Sequence, residues 1–173
     1  MSLDRNRRLR SRRPILIAAL ALALLAVGAA AGWALQERQA STVVREPLAQ
    51  SSKVREAKGQ TLGLTRVTLK PGAQIAPHHH PGTQVSYIDE GTLTYTVLSG
   101  SVTIRKGPSD DHPKTVRKVE AGETARIKAG QWIVEQPNEH HQARNAGDGP
   151  VVIYLSTLFP KGAPPSIPDD PDE

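Results

Sequence analysis

Short β-like segments separated by turn residues constrain the fold of this chain more than any other feature. Residues 92–97 alternate threonine with Leu, Tyr and Val, which is the period of a strand that buries one face. Residues 151–155 form a continuous apolar run, which is typical of a fully buried strand. Turns such as Pro71-Gly72 separate these segments at regular spacing. The pattern predicts an all-β domain over residues 54–160, built as a barrel or a sandwich.

The N-terminal part of the chain has the composition of a membrane-targeting segment. Residues 1–13 contain six Arg and one Asp, which equals the whole formal net charge of +5. Residues 14–35 carry no charge, and their number is close to the ~20 residues that cross a bilayer as a helix. Because arginine clusters stay in the cytoplasm, we expect the rest of the chain to lie outside it.

Two fates remain open for this apolar segment. Ala29-Ala30-Ala31 fits cleavage by signal peptidase, which would leave a periplasmic or secreted domain. Trp33 fits the outer interface of an uncleaved membrane anchor, and Arg12-Arg13 resembles a twin-arginine export signal. After this segment we expect a polar linker at residues 36–53. At the other end, residues 161–173 are acidic and rich in proline, which predicts a flexible tail.

Charge and cysteine content exclude several classes of function. Since residues 1–13 account for the net charge, the remainder of the chain is neutral and offers no basic surface for nucleic acid. The chain has no cysteine, which excludes disulfides, thiolate-bound zinc, iron–sulfur clusters and thiol catalysis. Any metal site must therefore use nitrogen and oxygen ligands.

Histidines at strand spacing provide such ligands. On a strand, His78 and His80 face the same way, so both can bind one ion, whereas His79 faces solvent. Gln84 lies a further four residues along, an even offset that can return it to the same face. There its side-chain oxygen is a neutral donor to the ion, or its amide only forms a hydrogen bond beside the ion. His112 falls in a polar loop, and we expect it to be solvated.

A second pair of histidines comes from a distant part of the chain. His140 and His141 follow another predicted strand, and a ligand from a neighbouring strand is a normal way to close a site inside a barrel. The two stretches together predict one metal-binding cluster.

These residues resemble the first motif of the cupin superfamily. That motif consists of glycine, five residues, His-x-His, three or four residues, glutamate, six residues and glycine. Every spacing fits, and the one departure is glutamine in place of glutamate. The matching residues are Gly72, His78, His80, Gln84 and Gly91.

The second motif of the superfamily is also present. It consists of glycine, five residues, Pro-x-Gly, two residues, histidine, three residues and asparagine. Gly130, His141 and Asn145 match it, and this spacing selects His141 rather than His140 as the ligand. Gln136 replaces the usual proline, and Asn138 replaces the usual glycine; asparagine is the next best residue for a left-handed turn.

The resemblance implies a single-domain cupin jelly-roll barrel of the type-2 kind that bacteria export or anchor to a membrane. It also implies one divalent transition metal held by His78, His80, Gln84 and His141. Ligands without sulfur suit Mn, Fe, Ni, Cu or Zn. With Gln84 in place of a carboxylate the centre would carry more positive charge, which favours anionic ligands. Strand edges of small jelly rolls often pair, which is compatible with a homodimer.

Two functional classes follow from the resemblance. The first is a metal-dependent dioxygenase or related oxidoreductase that acts on a small oxygenated organic molecule. The second is a non-catalytic module that holds metal or a small ligand at the cell surface, since fold alone does not decide function. Tyr87, Tyr95 and Trp132 either line the pocket or belong to the core. Glu139 and His140 either exchange protons at the barrel mouth or are exposed turn residues.

Overall fold

β-Strands make up all the regular structure in residues 43–108 and 112–170, which are the residues that the structure, a computed structural model, describes. In chain order they are β1 (Val43–Ser51), β2 (Gln60–Leu69), β3 (Gln74–His79), β4 (Thr83–Glu90), β5 (Thr92–Val97), β6 (Ser101–Lys106), β7 (Lys114–Glu120), β8 (Thr124–Lys128), β9 (Gln131–Glu135), β10 (His141–Arg144), β11 (Val151–Pro160) and β12 (Ile167–Pro168). None of the described residues belongs to a helix with the length and apolarity that a membrane span requires. The predicted basic region at 1–13 and the predicted span at 14–35 lie outside the described residues.

The strands form two antiparallel sheets. One sheet has seven strands in the order β1-β2-β11-β4-β9-β6-β7, and the other has five in the order β12-β3-β10-β5-β8. Many neighbours within each sheet are distant in sequence, because the chain repeatedly crosses from one sheet to the other, as in a jelly roll. The prediction of an all-β fold is confirmed.

Aliphatic side chains from both sheets form the core. The predicted strand at 92–97 buries Leu93, Tyr95 and Val97, and the apolar run in β11 buries Val151 and Ile153. The largest fully buried side chains are Leu69, Ile88, Ile104, Ile127, Ile133, Val67, Val97, Val119, Val151 and Asn145. With so few aromatic residues, the packing of the core depends on branched aliphatic residues.

Strand β4 shows how the core gives way to a polar site. Its alternate residues Gln84, Ser86 and Ile88 are buried, whereas Val85 and Tyr87 are exposed. The inward face therefore changes from an aliphatic side chain to polar ones along a single strand. Since buried polar groups require partners, this end of β4 marks where the interior is specialised.

The structure corrects the predicted linker and the predicted tail. Residues 43–51 of the linker form β1, which pairs with β2 at the edge of the seven-stranded sheet. Most β1 side chains are exposed, so the strand lacks the alternation that reveals a strand in a sequence. Residues 161–170 of the tail are ordered against the barrel, where β12 pairs with β3. Backbone hydrogen bonds and polar contacts hold this segment in place, and such contacts cannot be predicted from amino-acid composition.

Left-handed backbone at two motif positions explains the residue types found there. Asn138 has φ of 63°, as predicted from its position where the motif has glycine. Gly91 has φ of 79°, and a side chain there would place its Cβ 2.5 Å from the carbonyl oxygen of Pro150. This glycine is therefore required both by the turn and by the close approach of the chain that leads into β11.

Candidate metal centre

The structure brings the three predicted histidine ligands together inside the barrel. The side chain of His78 points inward from β3, and the register partner of His78 on β10 is His141. His80 follows directly after β3. All three are buried, and their ring centroids lie 4.3–5.1 Å apart. The strand spacing of the first stretch and the neighbouring strand of the second thus place all three rings in one cluster.

Backbone carbonyl groups fix the orientation of each ring. The Nδ1 atom of His78 lies 2.8 Å from the carbonyl oxygen of Ala76, and that of His141 lies 3.1 Å from the carbonyl oxygen of Glu139. The Nδ1 atom of His80 lies 2.9 Å from the carbonyl oxygen of Pro165, in the C-terminal segment. Because a carbonyl accepts a hydrogen bond, each Nδ1 carries the proton and leaves Nε2 as the nitrogen available to an ion.

The spacing and the charge state of these nitrogens fit a metal ion. One ring nitrogen from each histidine lies within 4.8 Å of the others, and ligands on opposite sides of an ion with bonds of about 2.1 Å are about 4.2 Å apart. Burial, with a smaller effect of His141, lowers the pKa of His78 to about 4. Burial also lowers the pKa of His80. Neutral imidazole is the form that binds metal, so the donor set suits a divalent transition ion.

Gln84 belongs to the cluster through its amide nitrogen. The side chain is buried, and Nε2 lies 2.5 Å from Oε2 of Glu135 and 3.0 Å from Nε2 of His80. Nε2 also lies 3.4 Å from Oγ of Ser86. The sequence leaves two roles open for Gln84, a carbonyl oxygen bound to the metal or a hydrogen bond beside it. In the structure its amide nitrogen donates to the Glu135 carboxylate, which fits the second role.

Glu135, at the end of β9, is the site residue that the sequence did not reveal. Its carboxylate is buried, with Oε1 3.1 Å from Nε2 of His141 and 2.9 Å from the hydroxyl of Tyr95. The other oxygen, Oε2, accepts a hydrogen bond of 2.5 Å from Ser86. A signal was present, because Glu135 lies two residues after the buried Ile133 and so shares its inward face.

The surroundings keep the Glu135 carboxylate ionised. Burial alone raises the pKa of Glu135, but His141, His80 and the hydrogen bonds from Ser86 and Gln84 outweigh it, so the pKa lies below its ordinary value. Burial and the same carboxylate raise the pKa of Tyr95 well above its ordinary value. The phenol therefore keeps its proton and donates a hydrogen bond to Glu135. The Tyr95 ring also stacks on the His141 ring, with 5.0 Å between their centroids.

A cavity of about 350 Å³ adjoins the cluster. Its polar lining includes the three histidines, Glu135 and Tyr95. The other polar residues that line it are Arg45, Gln50, Thr61, Thr65, Gln84, Ser86, Thr157 and Ser166. Its apolar lining comes from several strands and includes Ile75, Leu93, Ile133, Ile153, Leu155 and Phe159. The C-terminal segment completes the wall with residues from 160 to 166. This combination of a few convergent polar groups and apolar walls is typical of a small-molecule site.

The remaining candidates from the sequence lie elsewhere. Tyr87 is 40% exposed, and Nε1 of Trp132 donates to the carbonyl oxygen of Gly107 outside the cavity, so of the three aromatic candidates Tyr95 alone lines it. The Glu139 carboxylate accepts a hydrogen bond from the backbone of Gln136 and shapes the turn. His112 is exposed, as expected.

His79 and His140 form a second, half-buried cluster with Asp169 of the C-terminal segment. Their Nδ1 atoms lie 3.3 Å and 2.9 Å from the same carboxylate oxygen, Oδ1 of Asp169. Burial alone raises the pKa of Asp169, but these hydrogen bonds lower it below its ordinary value. The two histidines that parity and motif spacing exclude from the barrel thus hold the segment that also contacts His80.

The fold and the histidine cluster place the described residues in a class of β-barrel proteins with a buried cluster of imidazole rings. Comparisons with known proteins point to the same class. Residues 65–109 match the family model described as the Cupin domain. The matched segment includes His78, His80 and Gln84. No curated protein matches the chain significantly. Residues 65–109 are therefore similar to this family, and two of the solved structures described next have a similar fold.

Solved structures share the fold at low sequence identity. A cupin 2 domain-containing protein from Halorhodospira halophila is 14% identical, with 76% of this chain and 73% of that chain covered and a TM-score of 0.50. The L-ribose isomerase of Cellulomonas parahominis, solved with L-psicose, is 15% identical, with 72% and 68% covered and a TM-score of 0.51. A conserved protein of unknown function from Streptococcus pyogenes is 20% identical, with 69% and 76% covered and a TM-score of 0.45. The first two likenesses show the fold alone.

Proposed function

We propose that this protein is a metal-dependent oxidoreductase of the dioxygenase type that acts on a small oxygenated organic molecule. The observation that carries the proposal is the convergence of three Nε2 atoms, with their Nδ1 protons held by backbone carbonyls, beside an apolar cavity. His78, His80 and His141 would hold one divalent transition metal. Such an ion supplies Lewis-acid chemistry and, where it is redox-active, electron transfer.

The cavity supports a substrate of modest size. Its volume of about 350 Å³ lies at the small end of ligand pockets. The apolar wall excludes water and packs against the carbon skeleton, and Phe159 lies in that wall with its ring stacked on His80 at 5.8 Å. The oxygen atoms of a neutral or anionic substrate would face the histidines, because an ion held by them would attract oxygen atoms.

Tyr95 and Glu135 form a hydrogen-bonded pair beside the histidines. The Tyr95 hydroxyl donates to Glu135, and the carboxylate also accepts hydrogen bonds from Ser86 and Gln84. This network holds a proton on Tyr95 and a negative charge on Glu135 at fixed positions. Both contact His141, Tyr95 through its stacked ring and Glu135 through Oε1, which lies 3.1 Å from Nε2 of His141.

An extracytoplasmic location belongs to the same proposal. The arginine cluster at residues 1–13 and the uncharged residues 14–35 support a membrane anchor with the cupin domain outside the cytoplasm. Twin-arginine export fits a domain that folds around its metal before it crosses the membrane. Protease treatment of intact cells that express a C-terminally tagged chain would degrade the domain if this topology is correct.

The test of the enzymatic proposal is oxygen uptake by the full chain. The protein is purified in mild detergent without chelators, loaded with Fe²⁺, Mn²⁺, Co²⁺, Ni²⁺ or Cu²⁺, and mixed with small hydroxy acids, keto acids, diols and sugars. We expect uptake that requires both one metal and one substrate class, and that falls to background in His78→Ala. Metal and ligand binding by calorimetry without turnover would instead identify a non-catalytic binding module.

A further inference from the structure

Gln84 and Glu135 face each other across neighbouring strands. They are register partners in the antiparallel pair β4–β9, and both side chains are at most 4% exposed. The first motif has its acidic residue at the position of Gln84. In this chain that position carries the amide, and the carboxylate comes from the strand beside it.

The two oxygens of Glu135 have different surroundings. Oε2 is held by β4, through Nε2 of Gln84 and Oγ of Ser86, both at 2.5 Å. Oε1 faces the histidine cluster, 3.1 Å from Nε2 of His141. Two ligands at right angles on one ion, each about 2.1 Å from it, are about 3.0 Å apart. Oε1 therefore has the separation from His141 that adjacent ligands of one ion have. The residues whose ligand atoms all lie within 4.8 Å of one another are the three histidines without Glu135, so ligation by Glu135 requires its carboxylate to move toward the other histidines when the ion binds.

We propose that Glu135 supplies the carboxylate ligand of the metal centre and that Gln84 is its positioning partner. This inference rests on the proposed binding of a metal by His78, His80 and His141. The hydrogen bond from Gln84 fixes Oε2, and this directs Oε1 toward the ion in the way that outer groups ordinarily orient metal ligands.

Ligation by Glu135 changes the expected charge of the centre. From Gln84 alone, the sequence predicts a dication with only neutral ligands, which favours anions. With Glu135 as a ligand, one negative charge is restored, and that reason for an anion preference is removed. The amide at position 84 follows from the same arrangement, because a second carboxylate there would lie against Oε2 of Glu135, and like charges at that distance do not both ionise readily.

The test measures Co²⁺ affinity by calorimetry and the Co²⁺ visible absorption spectrum in the full chain. Glu135→Gln removes the charge with little change of shape. We expect its Co²⁺ affinity to fall by at least about 10-fold, with a changed spectrum. Glu139→Gln is the matched control, because that carboxylate contacts the Gln136 backbone and not the cluster, and it should bind Co²⁺ as the wild type does.

The paired exchange Gln84→Glu with Glu135→Gln keeps one carboxylate and one amide in the same buried pair. It covers the case in which the single variant fails to fold. We expect it to bind Co²⁺ within about 10-fold of the wild type, with a different spectrum because the carboxylate now arrives from β4.

The outcomes separate this inference from the proposed function. Wild-type affinity and spectrum in Glu135→Gln would overturn the role of Glu135, and so would a wild-type spectrum in the paired exchange. Absence of Co²⁺ binding by the wild type itself would overturn the metal centre, and the inference with it. A smaller loss of affinity in Gln84→Ala than in Glu135→Gln supports the positioning role of Gln84, whereas an equal or larger loss would overturn it.

Discussion

Replacement of His141 with alanine is expected to weaken metal binding by more than about 100-fold, because even groups that only orient a ligand ordinarily contribute 10–100-fold. His141 is the proposed ligand from β10, and the other two histidines come from one short stretch of the chain. Its loss leaves Nε2 of His78 and of His80 without the donor that completes the cluster. Calorimetric titration of the full chain with Co²⁺ measures the effect.

His140→Ala is the matched control for this variant. It removes an imidazole from the adjacent position, but that ring contacts Asp169 and not the barrel cluster. We expect its Co²⁺ affinity to equal that of the wild type. The reverse result, with strong loss in His140→Ala and none in His141→Ala, would contradict the assignment of ligands by motif spacing.

Asn145→Ala is expected to lower the free energy of unfolding by about 2–4 kcal/mol, although this residue touches no part of the cavity. The side chain is fully buried, and its Nδ2 donates to the carbonyl oxygens of Leu69 and Gly149 at 3.0 Å and 2.8 Å. Its Oδ1 accepts from the backbone of Gly147 at 3.0 Å. The variant therefore leaves three backbone groups without their partner.

Urea denaturation of the wild type and of Asn145→Ala measures this loss. Thr96→Ala is the control, because it also removes a side-chain hydrogen bond, but an exposed one to Thr124. We expect that control to change the free energy of unfolding by at most about 0.5 kcal/mol. Equal effects of the two variants would show that the hydrogen bonds of Asn145 do not stabilise the turn before β11.

Strand periodicity predicted the parts of the site that depend on one strand alone. His78 and His80 point inward and His79 does not, as alternation requires. Motif spacing then distinguished His141 from its neighbour, and it also placed a left-handed turn at Asn138. In each case a local rule suffices, because the direction of a side chain follows from its position along the strand.

Glu135 shows where such rules stop. The sequence pattern of β9 predicts a strand only as far as Val134. The importance of the next residue, Glu135, depends on its register with Gln84 on the neighbouring strand β4. Register between distant strands is set by the packing of the whole barrel and not by either segment alone. The pairing of the Gln84 amide with the Glu135 carboxylate is therefore evident only when the two strands are seen side by side.

The C-terminal segment shows a second limit. Its composition predicts a flexible tail because it has little apolar surface to bury. In the structure the Pro165 carbonyl accepts from His80, and the Asp169 carboxylate accepts from His79 and His140. A few polar contacts of this kind order a short segment against a preformed surface. They also place the tail at the metal centre, where it fixes the tautomer of His80.

The most direct test of the metal centre is the position of the ion in crystals of the metal-loaded chain, located by anomalous scattering at the absorption edge of the metal. We expect one strong peak about 2.0–2.3 Å from the Nε2 atoms of His78, His80 and His141, with Oε1 of Glu135 as the nearest oxygen from the protein. The contradicting result is a loaded chain with no peak inside the barrel, or with its peak between His79, His140 and Asp169.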